Sequence, residues 1–143
     1  ISKNFKFGFG QHSGVIDINK DKFQLPRFPI NEKYGNLKRC ESIVNYFPLE
    51  YKKILPNEKQ LFKNTNPPNF KVEFFKEQKN LSNINCYSNE GDVWEKSKTS
   101  FTNNSLTIEF REPFKPRRGR INCSLNDNGK WRWFGVQFPI KEN

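Results

Sequence analysis

The chain has 143 residues, of which 15% are aromatic and 15 are phenylalanine, and this bulk can bury one core and excludes a disordered tail. Its formal net charge of +10 is spread along a chain rich in Lys and Asn, which favours solvated surface charge over a surface selected for an anionic partner. No run of 18 apolar residues occurs, so the sequence predicts no membrane span.

Residues 1–35 predict an extended, loop-rich segment. Phe5, Phe7 and Phe9 recur at every second position, which is the period of a β-strand. The stretch LPRFP carries two prolines that remove amide donors, and it indicates an ordered loop or an edge segment. Because the chain begins at Ile1 and contains no methionine, we expect it to start partway along a longer gene product.

A helix is predicted over residues 36–47. Asn36 is a suitable N-cap, and Pro48 ends the helical pattern. Between them, apolar side chains recur at helical spacing and predict a buried face. These side chains are Leu37, Cys40, Ile43, Val44 and Phe47.

A linker is predicted over residues 56–69, which contain three prolines and four asparagines with little apolar periodicity. We therefore place a domain boundary near Lys63, which divides the chain into 1–62 and 63–143. A domain of the second length is short and can hold one small core.

Residues 70–140 predict about six short strands, because apolar and polar residues alternate in several runs. The run Asn-Asp-Asn-Gly at 126–129 predicts a tight hairpin, since Asn and Gly accept positive φ angles. Short alternating strands separated by turns are typical of a small antiparallel β-sandwich.

The single histidine, His12, follows the first predicted strand and lies between glycines. Its side chain would suit general acid–base catalysis, because histidine titrates near neutrality, or it is a hydrogen-bonded loop residue. One histidine cannot complete the usual zinc ligand sets, and the three cysteines show no CxxC spacing. We therefore predict no metal site and no cofactor within this chain.

Two cysteines, Cys86 and Cys123, fall in the core-facing phase of their predicted strands. They form either a disulfide or two buried thiols that pack as small apolar groups. Cys40, on the predicted helix, would remain unpaired.

The densest basic cluster lies between residues 114 and 120. Its side chains could contact phosphates or a carboxylated glycan, or they are solvated and cover apolar surface. No nucleic-acid motif accompanies the charge, so we predict no nucleic-acid partner. The cluster consists of Lys115, Arg117, Arg118 and Arg120.

The last predicted strand carries two tryptophans, Trp131 and Trp133, on the face opposite its apolar residues. They form either an aromatic platform for a sugar ring or a surface that the preceding domain covers. Trp94 has no such partner in the sequence and is predicted to lie in the core.

Four stretches, FGFGQHSGVID, LPRFPINEKYG, NPPNFKVEF and GRINCSLNDNGKWRWFGVQF, resemble the carboxy-terminal end of the NodB-type polysaccharide deacetylases that carry a small β domain after the catalytic barrel. The resemblance covers nearly the whole chain. It implies a mainly β fold in which residues 1–62 form the end of a (β/α) deacetylase barrel, as strand, loop and helix. Residues 63–143 would then form a small antiparallel β-sandwich as an accessory domain.

The resemblance also implies a function. In that family, a divalent metal ion, often zinc, is held by one Asp and two His, and it activates the water that hydrolyses N- or O-acetyl groups of a glycan. This sequence lacks those motifs, so the metal is expected only in the full-length protein, and this chain alone is expected to be inactive. His12 would act as a general acid, with Gln11 and Arg27 as rim or substrate-side residues.

The resemblance implies partners as well. These are an acetylated polysaccharide and the upstream catalytic domain, on which this chain would pack, in a bacterial cell envelope or periplasm. The alternative function is a non-catalytic carbohydrate-binding β module that presents Trp131 and Trp133 to glycans.

Overall fold

The computed structural model describes residues 3–75, 80–115 and 117–141. The described residues are mainly β, with one α-helix and three single-turn 3₁₀ helices. The elements are α1 (Leu37–Val44), β1 (Phe47–Pro48), β2 (Lys53–Leu55), β3 (Phe70–Glu73), β4 (Asn85–Ser88), β5 (Glu95–Lys96), β6 (Lys98–Thr102), β7 (Ser105–Glu109), β8 (Arg118–Asp127) and β9 (Lys130–Pro139), with 3₁₀ turns at Lys63–Thr65, Leu81–Asn83 and Glu90–Asp92.

The strands form two sheets. One has the order β1-β9-β8-β4-β5 and the other the order β2-β3-β7-β6. Every pairing is antiparallel except the short parallel pairing of β1 with β9. The mainly β, largely antiparallel fold that the sequence predicts is therefore confirmed in this coarse form, and neither sheet closes into a barrel within the described residues.

The long hairpin of β8 and β9 is the centre of the larger sheet. Its turn lies at the predicted place, with Asn128 at φ 52° and Gly129 at φ 84°, and the amide of Gly129 donates to Asn126 Oδ1 at 2.8 Å. Two successive positive φ angles match the right-handed twist of the strands that they join. The Asn-Gly signal therefore predicted both the turn and the pairing of the strands.

One shared core joins the two sheets. Three phenylalanines in this core are fully buried: Phe70 of β3, Phe74 directly after β3, and Phe138 of β9. The rings of Phe70 and Phe138 meet edge to face at 6.1 Å. A side chain on Gly119 would collide with ring carbons of Phe114, so the glycine leaves the space that this ring occupies. Burial of these aromatic rings together with the surrounding aliphatic side chains stabilises the fold.

Cys86 and Cys123 face each other across β4 and β8, and their sulfur atoms are bonded at 2.03 Å. Both residues are fully buried beneath the larger sheet. The sequence left open a disulfide or two buried thiols, and the structure shows the disulfide. Cys40 is a free, partly buried thiol on α1.

Glu90 is a buried carboxylate at the turn between β4 and β5, where it is 3% exposed. One oxygen accepts from the Ser88 hydroxyl, and the other accepts from the Arg111 amide at 2.8 Å and the Arg111 Nε at 2.9 Å. Burial alone would raise the pKa of Glu90, but these hydrogen bonds outweigh it and lower the pKa below its ordinary value. The fold therefore stabilises the ionised form of the Glu90 carboxylate.

Helix α1 begins where the sequence predicts, since Asn36 Oδ1 accepts from the Arg39 amide at 2.9 Å. The predicted buried face is wrong, because none of the helix residues is buried. Leu37 is 74% exposed and Val44 is 79% exposed, while Cys40 and Ile43 are partly covered. The helix is amphipathic by sequence, but its apolar side does not face the core that the two sheets share.

The strand predicted over residues 5–9 is reduced to one bridge between Phe9 and Leu25. Phe5, Phe7 and Phe9 are each about 60% exposed. Alternation predicts a strand, but no sheet among the described residues includes these phenylalanines. The predicted barrel end therefore stays a prediction.

Both sheets cross the predicted boundary near Lys63. β1 and β2 precede it, yet they pair with β9 and β3. Leu61 is 1% exposed and bridges to Ile140, so the stretch predicted as a linker is fixed to the sheets. The β body therefore extends back to Phe47, and the place where a catalytic domain would end stays a prediction.

Candidate functional site

The segment that carries His12 is held by a short ladder of backbone hydrogen bonds. Residues 8–12 run beside residues 22–27, and the amide of Leu25 donates to Gly8 O at 2.9 Å while the amide of Gly10 donates to Leu25 O at 2.8 Å. At the end of the ladder, the Arg27 amide donates to His12 O at 3.1 Å. Two of the predicted site residues, His12 and Arg27, are thus brought side by side through their backbones.

Gly135 of β9 lets this segment lie flat on the larger sheet. A side chain at Gly135 would fall on the carbonyl oxygen of Ser13, and one at Gly14 would meet Pro26 and the Gly135 amide nitrogen. Glycine inside a strand often marks such a close approach of another backbone. The sequence carried this signal at Gly135, but the strand analysis missed it.

A cleft of about 680 Å³ lies where this segment meets the β body. Its walls are the segment around residues 10–24, the strand β2 with the following loop 56–60, and the end of β9. Gln11 and His12 line the cleft, whereas Arg27 is exposed and is not part of its lining. Volumes of about 300–1,000 Å³ are usual for small-molecule sites, so this cleft is the candidate functional site.

His12 is partly buried at the edge of the cleft, with its ring against Gly10. Burial lowers the pKa of His12 below its ordinary value. Burial therefore favours the neutral imidazole, which can accept a proton or a hydrogen bond. It would donate a proton only if a bound anion raised its pKa.

Two lysines of the cleft are held by backbone carbonyls. Lys20 Nζ donates to Tyr51 O at 2.6 Å and lies 3.9 Å from the centre of the Tyr51 ring. Lys59 Nζ donates to Pro56 O at 2.7 Å. Burial lowers the pKa of Lys59 to about 8, a shift that the neighbouring Glu58 offsets only in part.

The cleft also contains Gln137, on the outward side of β9, which the sequence analysis did not single out. Its Oε1 atom is buried and finds no hydrogen-bond donor among the described residues. A buried acceptor without a donor costs free energy, so a hydroxyl or an amine that reached this oxygen would be favoured. Only the fold reveals it, since alternating polar residues are common in strands.

The two tryptophans do not form an open platform. Trp133 is covered by two residues that precede the predicted domain boundary, since Phe28 meets its ring edge to face at 5.3 Å and Tyr46 stacks on it at 5.8 Å. Trp131, two residues earlier, is 41% exposed. A two-ring sugar platform is therefore not present, and Trp131 remains a candidate contact by itself.

The basic cluster spreads over two different surfaces. Arg118 donates from Nη1 to Gln11 Oε1, and the Arg120 guanidinium lies 5.3 Å from the centre of the Trp94 ring. The prediction that Trp94 lies in the core is wrong, since it is 40% exposed and precedes a two-residue edge strand. These arginines thus contact polar and aromatic side chains of the sheet face. This agrees with the alternative in which the basic side chains are solvated or cover apolar surface.

No metal centre can be assigned in the parts of the chain that the structure describes. Those parts hold no group of three or more His, Cys, Asp or Glu side chains that could bind an ion. These residues therefore offer no ligand set for the zinc site that the family resemblance implies.

A scan against protein-family models, a search of curated proteins and a search of solved structures each found no match to this chain. Within the described residues, no helix is both long and apolar enough to cross a membrane. The function is therefore inferred from the residues and from how the fold arranges them.

Proposed function

We propose that this chain is the carboxy-terminal part of a metal-dependent polysaccharide deacetylase, which hydrolyses N- or O-acetyl groups on a glycan. The observation that carries the proposal, beside the sequence resemblance, is the unequal burial of the two parts of the chain. The hydrophobic core lies within the β body, which exposes eight large apolar side chains among the described residues of 47–141, whereas residues 3–46 bury only one such side chain, Leu25, and expose nine. These are Phe5, Phe7, Phe9, Ile16, Ile18, Ile30, Tyr34, Leu37 and Val44.

Exposed apolar surface of this extent usually marks an interface. Burying it against a catalytic barrel of the same protein would supply the partner that helix α1 and the phenylalanines of residues 5–9 lack in the described structure. The β body would then be an accessory domain that packs on the barrel through residues 3–46.

In this proposal, the chain contributes residues at the rim of the active site. His12 and Arg27 meet at the end of one backbone ladder, and Gln11 stands beside His12 in the cleft. The metal ion, when bound, would activate water for attack on the acetyl carbonyl, and its ligands would come from the catalytic barrel. His12 would be the proton donor to the departing amine or alkoxide once negative charge in the substrate complex raises the pKa of its imidazole.

The disulfide supports a location for the protein. Disulfides persist in oxidising compartments and are rare in the cytosol. The bridge between Cys86 and Cys123 is therefore consistent with the proposed bacterial cell envelope or periplasm.

The test is an acetate-release assay with the chain extended by the residues that its gene encodes ahead of Ile1. We expect zinc-dependent acetate release from an N-acetylglucosamine polymer, and none from residues 1–143 alone. The variant His12→Ala should lower kcat roughly 100-fold, the usual contribution of a general acid. Lys98→Gln, at an exposed position of strand β6 in the β body, is the control and should change kcat little. Release by residues 1–143 alone, or no release by the extended protein with zinc, would contradict the proposal.

The alternative function is a non-catalytic carbohydrate-binding module. The exposed Trp131 favours it, since exposed indole rings stack on sugar faces. In affinity electrophoresis through gels that contain a soluble glycan, Trp131→Ala should then abolish the retardation of the chain. Trp94→Ala, which removes an equally exposed tryptophan elsewhere, is the matched control.

A further inference from the structure

We propose that the cleft binds an acidic sugar unit of a glycan, with Lys59 donating to its anionic group and Gln137 accepting from one of its hydroxyls. Every side chain assigned to this contact belongs to this chain, so an acidic glycan can bind here whether or not the parent protein removes acetyl groups.

The charge of the cleft points to an anion. Four lysines line the cleft against two carboxylates, so its wall is positive overall. One of the four, Lys53, already has a counter-ion, since its Nζ lies 3.4 Å from Glu73 Oε2. The lining lysines are Lys20, Lys52, Lys53 and Lys59, and the carboxylates are Asp21 and Glu58.

Lys59 is the lysine that best fits direct contact with a ligand. Its amine lies 5.4 Å from the centre of the buried Phe138 ring and uses one of its three protons on Pro56 O. The lowered pKa of Lys59, about 8, reflects an ammonium group that is removed from water without a fully compensating charge. A ligand carboxylate or sulfate would supply that charge and accept one of the two remaining protons.

Gln137 sets the second requirement, which a simple anion does not meet. Its buried Oε1 needs a hydrogen-bond donor, and a fully ionised phosphate, sulfate or carboxylate is an acceptor only. A sugar hydroxyl is such a donor. A ligand that carries hydroxyls and an anionic group on one ring meets the needs of both side chains.

The remaining lining suits a sugar rather than a flat apolar molecule. Amide side chains offer both donors and acceptors, as hydroxyl groups require, and the ring of Phe23 offers apolar surface for the ring carbons. The amides are Gln11, Gln24, Asn57 and Gln60.

The experiment is a titration of the ¹⁵N-labelled chain with three probes. They are a galacturonate tetrasaccharide, its fully methyl-esterified form, and a sulfated galactose oligosaccharide, which separates carboxylate from sulfate as the source of the charge. We expect the acidic probes to shift the backbone amides of His12, Lys59 and Gln137, and to leave the distant hairpin turn at 126–129 unchanged. We expect the neutral ester to bind about tenfold more weakly or worse.

Variants then test the two assigned contacts. Lys59→Gln should weaken binding of the better acidic probe about tenfold or more, as expected for loss of a charge-assisted hydrogen bond. Gln137→Leu should weaken it roughly threefold or more, since a neutral hydrogen bond is lost. Lys38→Gln removes the same charge on helix α1, outside the cleft, and should change the affinity less than about twofold.

The wild-type titration alone can overturn the inference, so it does not depend on the folding of the variants. Shifts that avoid the cleft, or no shifts at millimolar probe, would show that the cleft is not a site for acidic sugars. Equal affinity for the neutral ester and the galacturonate tetrasaccharide would show that the carboxylate of the ligand makes no favourable contact in the cleft. Equal losses for Lys59→Gln and Lys38→Gln would mean attraction to net charge rather than a built site.

Discussion

Glu90 shows how one residue fixes a turn of this fold. Its two carboxylate oxygens take three hydrogen bonds, from Ser88 and from the backbone and side chain of Arg111. The side chain of Glu90 is 2% exposed and that of Arg111 is 40% exposed, so the charge is stabilised at the edge of the core. A buried charge of this kind is tolerated only while its partners remain in place.

We expect Glu90→Gln to lower the free energy of unfolding by about 2–3 kcal/mol, because it removes the charge-assisted hydrogen bonds from Arg111. The folded-state pKa of Glu90 is lowered. Its stabilising effect is therefore fully present above the ordinary pKa of a glutamate and is lost as the pH falls through the folded value. Urea unfolding at pH 7 and at pH 3 should show a difference between wild type and variant that narrows in acid.

Glu109→Gln is the matched control for this prediction. Glu109 pairs with Lys98 at 2.6 Å, but their side chains are 68% and 76% exposed. Water screens such a pair, so the control should change stability by less than about 1 kcal/mol. Equal effects of the two variants would mean that the Glu90 network does not stabilise the fold.

Sequence patterns assigned single residues correctly where a strand fixed their direction. Cys86 and Cys123 were placed facing the core because side chains alternate along a strand. Trp94 was misplaced because it precedes a very short strand and has no such pattern around it. Lys59 and Gln137 were missed, because their significance depends on a loop that folds back against β9.

Short sequence motifs correctly predicted where helix α1 begins and where the β8–β9 hairpin turns. The N-cap Asn36 and the hairpin turn at Gly129 act through hydrogen bonds and φ angles within a few residues, which the sequence contains. The buried face of α1 was wrong because burial depends on what packs against a helix. That information lies in distant parts of the chain.

Gly135 is the position at which β9 admits the backbone of the segment 8–27. We expect Gly135→Ala to destabilise the fold by about 1–3 kcal/mol and to release residues 8–27 from β9, because the new methyl group would occupy the place of Ser13 O. Amide hydrogen exchange should then become faster at Leu25 and Arg27, whose amides donate within the ladder. The cleft between this segment and the β body would open as well.

A substitution at the hairpin turn is the control for Gly135→Ala. Gly129 has φ 84° and open space around it, and Asn accepts this backbone angle. Gly129→Asn should therefore change stability by less than about 0.5 kcal/mol and leave exchange in residues 8–27 unchanged. Protection of the ladder that survives Gly135→Ala would show that the segment is held by other contacts.

The whole molecule is organised by pairings between distant parts of the sequence. β1 and β2, which precede the predicted boundary, join the edges of two sheets whose other strands follow it. Both are very short, with two and three residues, and carry no alternating pattern that could reveal them. A proline-rich stretch between them and β3 looked like a linker because composition reports local backbone preference and says nothing about distant pairing.

The disulfide is the covalent counterpart of these long-range pairings. It joins residues 37 apart in sequence and ties β4 to the central strand β8. Closing a loop of this length in the unfolded chain predicts a stabilisation of roughly 3–4 kcal/mol. We expect the variant with Cys86→Ala and Cys123→Ala to lose that amount or somewhat more in urea unfolding.

Part of the loss in the double variant would come from packing, since both cysteines are fully buried and alanine leaves a small void. Reduction of the wild-type chain removes only the covalent link and keeps both sulfur atoms, so it isolates the contribution of the cross-link. We expect the reduced chain to lose most of what the double variant loses, and Cys40→Ser, which removes the free thiol, to lose less than about 1 kcal/mol. A reduced chain as stable as the oxidised one, beside a weakened double variant, would assign the stabilisation to packing of the core.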